Sequence, residues 1–428
     1  MSSPDLNPNY KWHVVGMLWF CGFFNYADRQ AIFSVFPLLA SEMHLDKVQL
    51  GLLGSSFALV YGICAPFAGN IVDRVRRKTA VLGGLWAWSI ICMLTALAGN
   101  FRQLLFFRAA EGLGETFYFP ASMSLISDYH GKPTRSRAMG SHQTSVYIGT
   151  IAGGFFGGLI GQYYGWRWSF VVFGGLGVLL GFALARLLLE PKRGAADFAD
   201  FQVRSRYEYR MSVAQSLKAI WTTPTVLLCM GAFMLVNFVA MMLLSWMPVF
   251  LYEKFHLSLA MSGLTATIFI QLASMAGAPL GGWMADVLRR RFPGGRIAVQ
   301  MLGLLGAAPF VVWCGQTLSV TSLIAALTCW GLFKGLYDAN IFASVLDVVH
   351  PEARGTAVGF MNMLGWLVGA GTAPVVIGYI AQRASLSYAI SIASLALVGA
   401  SILLAIATVF TAGRDVERLR RQLQHSET

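Results

Sequence analysis

Apolar stretches of about 20 residues, the length a helix needs to cross hydrocarbon, recur in this chain from Trp12 to Ala412. Twelve spans are read, at roughly 12–39, 49–70, 79–99, 102–127, 138–162, 167–189, 225–251, 258–286, 296–316, 319–347, 355–381 and 384–412. Composition agrees: 56% of the 428 residues are hydrophobic and 12% charged, with a mean hydropathy of +0.60. Such a chain is not a soluble globular protein.

A short basic signature occurs twice. Gly69-Asn70-Ile71-Val72-Asp73-Arg74-Val75-Arg76-Arg77-Lys78 follows the second span, and Gly282-Trp283-Met284-Ala285-Asp286-Val287-Leu288-Arg289-Arg290-Arg291 follows the eighth. Subtracting 73 from 286 separates the two aspartates by 213 residues, half the chain. The likeness continues downstream. Glu111-Gly112-Leu113-Gly114-Glu115 is answered by Lys334-Gly335-Leu336-Tyr337-Asp338, and Ser136-Arg137-Ala138-Met139-Gly140 by Arg354-Gly355-Thr356-Ala357-Val358-Gly359. Two similar halves in one orientation predict an all-α membrane protein of twelve transmembrane helices. These form two pseudo-symmetric six-helix bundles about an axis along the membrane normal, with a cavity between them. The expected organisation is an N-terminal bundle at 1–189, a cytoplasmic linker at 190–224, a C-terminal bundle at 225–412 and a basic cytoplasmic tail at 413–428. The linker holds a mixed-charge stretch, Lys192 to Arg210, and an amphipathic run, Val213 to Trp221, expected as a surface helix.

The net charge is +12, and about 23 of the 32 Lys and Arg fall before the first span, in the even-to-odd loops or after the last span. The opposite loops carry about five: Lys47, Arg102, Arg167, Lys254 and Arg383. That asymmetry predicts that both termini and the central loop are cytoplasmic, and the expected location is the cell (plasma) membrane; the positive excess is a topology signal, and nucleic acid is not expected as a partner. All six cysteines lie in apolar spans without metal spacing, so they read as packing residues; no metal and no cofactor is expected. The polar first eleven residues and the long first span with Asp28-Arg29 do not read as a signal peptide. No GxSxG, HExxH or P-loop occurs, which argues against an enzyme and against direct use of ATP.

An ionisable side chain at mid-bilayer costs about 2.5–3.5 kcal/mol, so each one asks for a partner and a reason. The first span carries Asn25-Tyr26-Ala27-Asp28-Arg29. Neighbouring helical residues point about 100° apart, so at least one of Asp28 and Arg29 faces a cavity or another helix. Arg29 suits a carboxylate and Asp28 suits a transferable proton, unless the charges serve only an inter-helix structural ion pair. In the fourth span Arg108, Glu111 and Glu115 share one face and can hold a mobile proton; Glu115 is the first candidate carrier, and Glu111 answers Arg108. In the tenth, Lys334 and Asp338 form a self-neutralising pair, structural or substrate-contacting, with Asn340 beyond them. In the fifth, Gln143 and Tyr147 stand four apart to meet a polar ligand. His142 reads as a solvated histidine near a helix start, and Gly149, Gly153, Gly154, Gly157 and Gly158 read as a packing surface. Of the basic loops, Asp73, Arg74, Arg77 and Lys78 in the first copy, with Asp286 and Arg290 in the second, read as a gating clasp.

The Gly69–Lys78 segment and its second copy resemble the loop signature of the major facilitator superfamily, over about residues 10–412. Within it, Asn25-Tyr26-x-Asp28-Arg29 with Arg108 and Glu115 resembles the anion:cation symporter branch, which includes sugar-acid transporters. The pattern is also similar to the spinster-like branch, linked to lysolipids and other amphiphiles. The first resemblance implies Asp28 and Glu115 as protonation sites, Arg29 as the contact for a substrate carboxylate and Gln143 as a substrate contact. It departs from the signature at Arg76, where Gly is frequent, and Gly154 stands where an antiporter motif has Pro. The reading is thus a proton-coupled symporter of a small organic anion, working as a monomer in the bilayer. Arg29, Tyr26, Arg108, Gln143, Tyr147, Lys334 and Asn340 would meet substrate, and Asp28, Glu115, Glu111 and Asp338 would couple protons. The alternative is an amphiphile carrier whose apolar wall would include Phe117, Tyr118, Trp246 and Phe333.

Overall fold

A computed structural model of the protein describes residues 9–191 and 213–426. The mixed-charge stretch Lys192 to Arg210 lies outside the described residues, as does the side chain of Asp73. Every described element is helical. The first half runs α1 (Tyr10–Ser34), α2 (Phe36–Met43), α3 (Lys47–Arg74), α4 (Arg77–Thr95), α5 (Phe101–Glu115), α6 (Tyr118–Tyr129), α7 (Lys132–Tyr164) and α8 (Trp166–Leu187). Local sequence sets these ends. Asn100 caps α5 by accepting from the Gln103 N–H at 3.0 Å. Pro133 opens the first turn of α7, where its missing N–H costs nothing. Gly165, at φ 89°, turns α7 directly into α8, a conformation that favours glycine.

Ten helices among the described residues are long and apolar enough to cross a membrane. The two remaining expected spans are the first and fourth, which carry Asp28-Arg29 and Arg108-Glu111-Glu115. Their polar content has a backbone counterpart: the first breaks between α1 and α2 at Val35, the fourth between α5 and α6 at Thr116-Phe117. In the second half the expected surface helix is present as Val213–Trp221. The eleventh span passes through a π-helical turn at Gly365–Ala370, and the twelfth through another at Ala407–Thr411 before running on as Ala412–Ser426.

The chain divides into two compact units. One comprises Met1–Leu45, Ile63–Arg206 and Leu257–Leu264; the other comprises Asp46–Gly62, Tyr207–His256 and Thr265–Thr428. This division departs from the expected sequence halves at two places, since α3 and the helix Leu259–Arg289 each change unit along their length. In the first unit α1 and α7 pack along a ladder of small residues spaced by four. Ser145 lies against Gly22, Gly149 against the Phe23 backbone, Gly153 against Ala27 and Gly157 against Ala31. Small side chains let the backbones approach closely, as the glycine run predicted. Beside that seam Val14, Leu18, Cys21, Leu85, Trp88, Tyr118, Leu125 and Ile126 form a buried core.

A buried charge cluster in the first unit

The α1–α7 seam carries residues 25–29 into the interior of the first unit, opposite α4 and α5. Asp28, Arg29, Arg108, Glu111 and Glu115 are all buried, none more than 6% exposed. Arg29 Nε donates to Glu115 Oε2 at 3.1 Å, and its Nη2 to the same oxygen and to Asn25 Oδ1 at 3.2 Å. Its guanidinium lies over the Tyr26 ring, 4.5 Å from the centroid. Arg108 pairs with Glu111 one turn on. Asp28 accepts from the Arg29 backbone N–H at 2.7 Å, and its carboxylate, the Cys92 thiol and the Glu111 carboxylate lie within 4.8 Å of one another. Asp28 and Arg29 thus diverge as helix geometry requires, one toward Cys92 and Glu111 and the other toward Glu115. Glu111 Oε1 and Glu115 Oε1 have no hydrogen-bond partner among the described residues. Three carboxyl groups face two guanidiniums, so the cluster is one positive charge short of neutral. The Asp28–Cys92–Glu111 set has metal-ligand chemistry, but Arg108 already neutralises Glu111, which makes it a poor cation cage.

The other expected contacts are spread more widely. Arg108 has no exposed surface and is committed to Glu111. Gln143 is exposed and Tyr147 half-buried on α7. In the second unit Lys334 pairs with Asp338 and both keep some exposure. Asn340 is buried, its amide nitrogen donating to the carbonyls of Gly281 and Leu336, both at 3.1 Å, so that nitrogen ties helices together. His142 corrects the sequence reading: it is 1% exposed, and its Nε2 lies 2.7 Å from Tyr118 Oη. A small neighbour, Gly22, makes room there for the Tyr118 hydroxyl and the Ser145 side chain, which no linear pattern reports. The aromatics expected along an apolar wall are packing residues. Tyr118 and Trp246 are fully buried, the latter donating to the Pro374 carbonyl at 2.9 Å; Phe117 backs the core beside Trp88 and Phe333 stacks on Phe310.

At the basic-loop end, Arg77 pairs with Asp128, and Glu190 caps α4 by accepting from the backbone N–H groups of Arg77 at 2.8 Å and Lys78 at 2.6 Å. The Lys78 ammonium donates to the Ala185 carbonyl at 2.8 Å, while Arg74 is exposed. In the second unit Asp347 meets Arg289 at 3.1 Å and Arg296 at 3.5 Å, and Arg296 also reaches Asp286 at 3.4 Å. Arg290, the residue aligned with Arg77, is exposed. Asp128, Glu190, Asp347 and Arg296 were absent from the sequence reading. A signal existed: Asp128 precedes Gly140 by twelve residues, as Asp347 precedes Gly359. Next to Asp128, His130 accepts from the Thr134 hydroxyl at 3.0 Å and donates to the Lys11 carbonyl at 3.1 Å; burial lowers its pKa below the ordinary value. At the opposite end Glu42 pairs with Arg167 and accepts from Trp166 Nε1 at 2.7 Å, bonds that hold its carboxyl below the usual range.

Over residues 18–370 the chain matches the Major Facilitator Superfamily, and it belongs to that family. It is a multi-pass membrane transporter, not an enzyme. It is 27% identical over 384 residues to Protein spinster of Drosophila melanogaster, covering 87% of this chain but only 62% of that longer protein. It is 25% identical over 379 residues to the hexuronate transporter of Bacillus subtilis (strain 168), covering 87% of this chain and 88% of the relative. A solved bacterial homologue of the human lysosomal transporter spinster, inward-facing and unoccupied, superposes with a TM-score of 0.81 at 23% identity, over 97% of this chain and 99% of the other. That last likeness shows the shared fold.

Proposed function

We propose that the chain is a proton-coupled symporter of a small organic anion, a hexuronate-like sugar acid or another carboxylate, acting as a monomer in the cell membrane with both termini cytoplasmic. One observation carries the reading: Arg29, the cation best placed for a carboxylate, is held by Glu115 inside a cluster with one acid in excess. A proton on Glu115 ends its hold on Arg29, and Arg29 then accepts the substrate carboxylate in its place. Release of substrate and proton restores the Arg29–Glu115 pair. The cluster stays close to neutral in both the loaded and the empty state, which is what a low-dielectric interior demands for reorientation. Asp28 supplies the second acid, with Glu111 balancing Arg108. Tyr26, stacked under the guanidinium, orients it. Alternating access then follows from movement at the basic clasps.

The test is uptake in proteoliposomes with a pH-sensitive dye inside and an imposed inward proton gradient, screening sugar acids, aromatic acids and lysophospholipids. Proton entry that depends on a soluble carboxylate is the expected result. Glu115→Gln should abolish proton-driven accumulation and leave counterflow exchange intact; loss of both removes the coupling role. Gradient-dependent movement of a lysolipid, with no response to any carboxylate, moves the chain to the amphiphile reading that its likeness to spinster supports.

A further inference from the structure

We infer that His142, held by Tyr118, is a second proton-binding site, through which the charge cluster exchanges its proton with the basic-loop side of the membrane. The inference rests on the proton-coupled reading above.

Tyr118 has one hydroxyl hydrogen, and its nearest partners are the Leu18 carbonyl at 2.6 Å and His142 Nε2 at 2.7 Å. A carbonyl can only accept, so the Tyr118 O–H points to Leu18, and its oxygen must accept from a protonated His142 Nε2. This fixes the tautomer: the neutral ring carries its hydrogen on Nε2, and Nδ1 is a bare acceptor. Nδ1 is buried and has no hydrogen-bond partner among the described residues. A buried acceptor without a donor is costly in a merely structural histidine. It becomes useful when Nδ1 takes up a proton.

Position supplies the rest. A Cβ placed on Gly22 would lie 3.2 Å from Tyr118 Oη, and Gly22 precedes Asp28 by six residues, about 9 Å along α1. Tyr118 follows Glu115 by three residues across the break between α5 and α6. Trp88 stands edge-on to Tyr118, 5.6 Å between centroids, and Cys92 of the cluster is one turn further along α4. The pair therefore forms the layer next to the cluster, toward the basic loops. Leu18 and Gly22 face it from α1, Tyr118 from α6 and Trp88 from α4; on its own helix, Ser145 Oγ donates to the His142 carbonyl at 2.6 Å. Among the described residues no charged side chain bonds to the ring. The ionisable groups it can exchange with are Asp28, Glu111 and Glu115 in the layer above. In the transfer an N–H bond forms at Nδ1 as the O–H bond of a protonated carboxyl breaks, through water if needed. It reverses when the imidazolium gives that proton to water on the basic-loop side. Nε2–H keeps its bond to Tyr118 throughout, which holds the ring in place.

The experiment compares the full-length protein with His142→Gln, His142→Ala, Tyr118→Phe and Glu115→Gln in proteoliposomes. It follows dye-reported proton entry, net uptake and counterflow across a pH series. Counterflow exchanges substrate without net proton release, so a relay defect spares it. His142→Gln is expected to slow net proton-driven uptake on the order of 10²-fold, with counterflow near that of the parent protein. Imidazole added on the basic-loop side should restore proton entry to His142→Ala but not to Glu115→Gln, and Tyr118→Phe should shift the pH profile of net uptake. An unchanged rate and pH profile in His142→Gln overturns the inference. So does equal loss of counterflow and net uptake without rescue by imidazole, the mark of a packing role. A parent protein that moves substrate without protons overturns the coupled reading itself, a result distinguishable from both.

Discussion

His44 and His256 close their helices in the left-handed region, each with φ 54° and each exposed. A side chain with a Cβ costs about 1–2 kcal/mol there, and glycine escapes that cost. Either residue changed to Gly should therefore raise stability by about 1 kcal/mol, read as a higher Tm in detergent. A lower Tm would show that the imidazole contributes something the backbone does not reveal. His130 gives a pH signature. Its folded-state pKa is lowered by burial, so its contribution is complete above the unfolded value near 6.5 and is lost as pH falls through the lower folded value. Thermal stability should decline on acidification in that window, and His130→Gln should flatten the decline; an unaltered slope would assign the acid sensitivity elsewhere.

At the scale of elements, the α1–α7 seam shows how one spacing acquires a purpose through its partner. Gly153 has the Ala27 backbone where its Cβ would be, whereas Gly140 on the same helix has open space. Gly153→Val should cost about 1–3 kcal/mol by overpacking, and Gly140→Ala should be neutral or stabilising by up to ~1 kcal/mol. Equal effects in thermal unfolding would mean that the seam tolerates separation. The fourth span makes the complementary point. Its 3.6-residue period was legible, and Arg108 and Glu111 do meet along one face. The break at Thr116-Phe117 was marked as well, by Gly112 and Gly114 before it and by Pro120, which has no N–H for the Thr116 carbonyl four residues back; what the sequence did not show is that Tyr118, just past the break, reaches Leu18 and His142.

Across the whole molecule the two halves repeat a sequence but differ in the burial of its charges. Arg77 and Asp128 keep 15% and 6% of their side-chain surface, while Asp347 keeps 21% between Arg289 at 50% and Arg296 at 19%. Removing one partner of a buried pair strands the other, at a cost of about 3–5 kcal/mol for full burial, whereas exposed pairs contribute about 0–1 kcal/mol. Asp128→Asn should therefore destabilise the protein by a few kcal/mol and Asp347→Asn, whose carboxylate is partly exposed, by about 1 kcal/mol, and the two melting curves measure the asymmetry. If the costs were equal, the pairs would be equally screened and the halves more symmetric than their burial indicates.

Membrane insertion, the all-helical class and the doubling of the chain followed from the sequence by itself, because hydropathy over 20 residues and a repeat 213 residues apart are one-dimensional properties. So did the identity of the charged residues, since an ionisable group in an apolar span is conspicuous wherever it later points. Pairing was settled only in three dimensions. Arg29 meets Glu115 across 86 residues, Arg77 meets Asp128, and Arg296 rather than Arg290 meets Asp347. The physical reason is that a helix fixes the direction of each side chain but not its neighbour. Close packing at Gly22 and Gly153 brings α1, α6 and α7 together, and with them the buried imidazole of His142 that sequence alone placed in water.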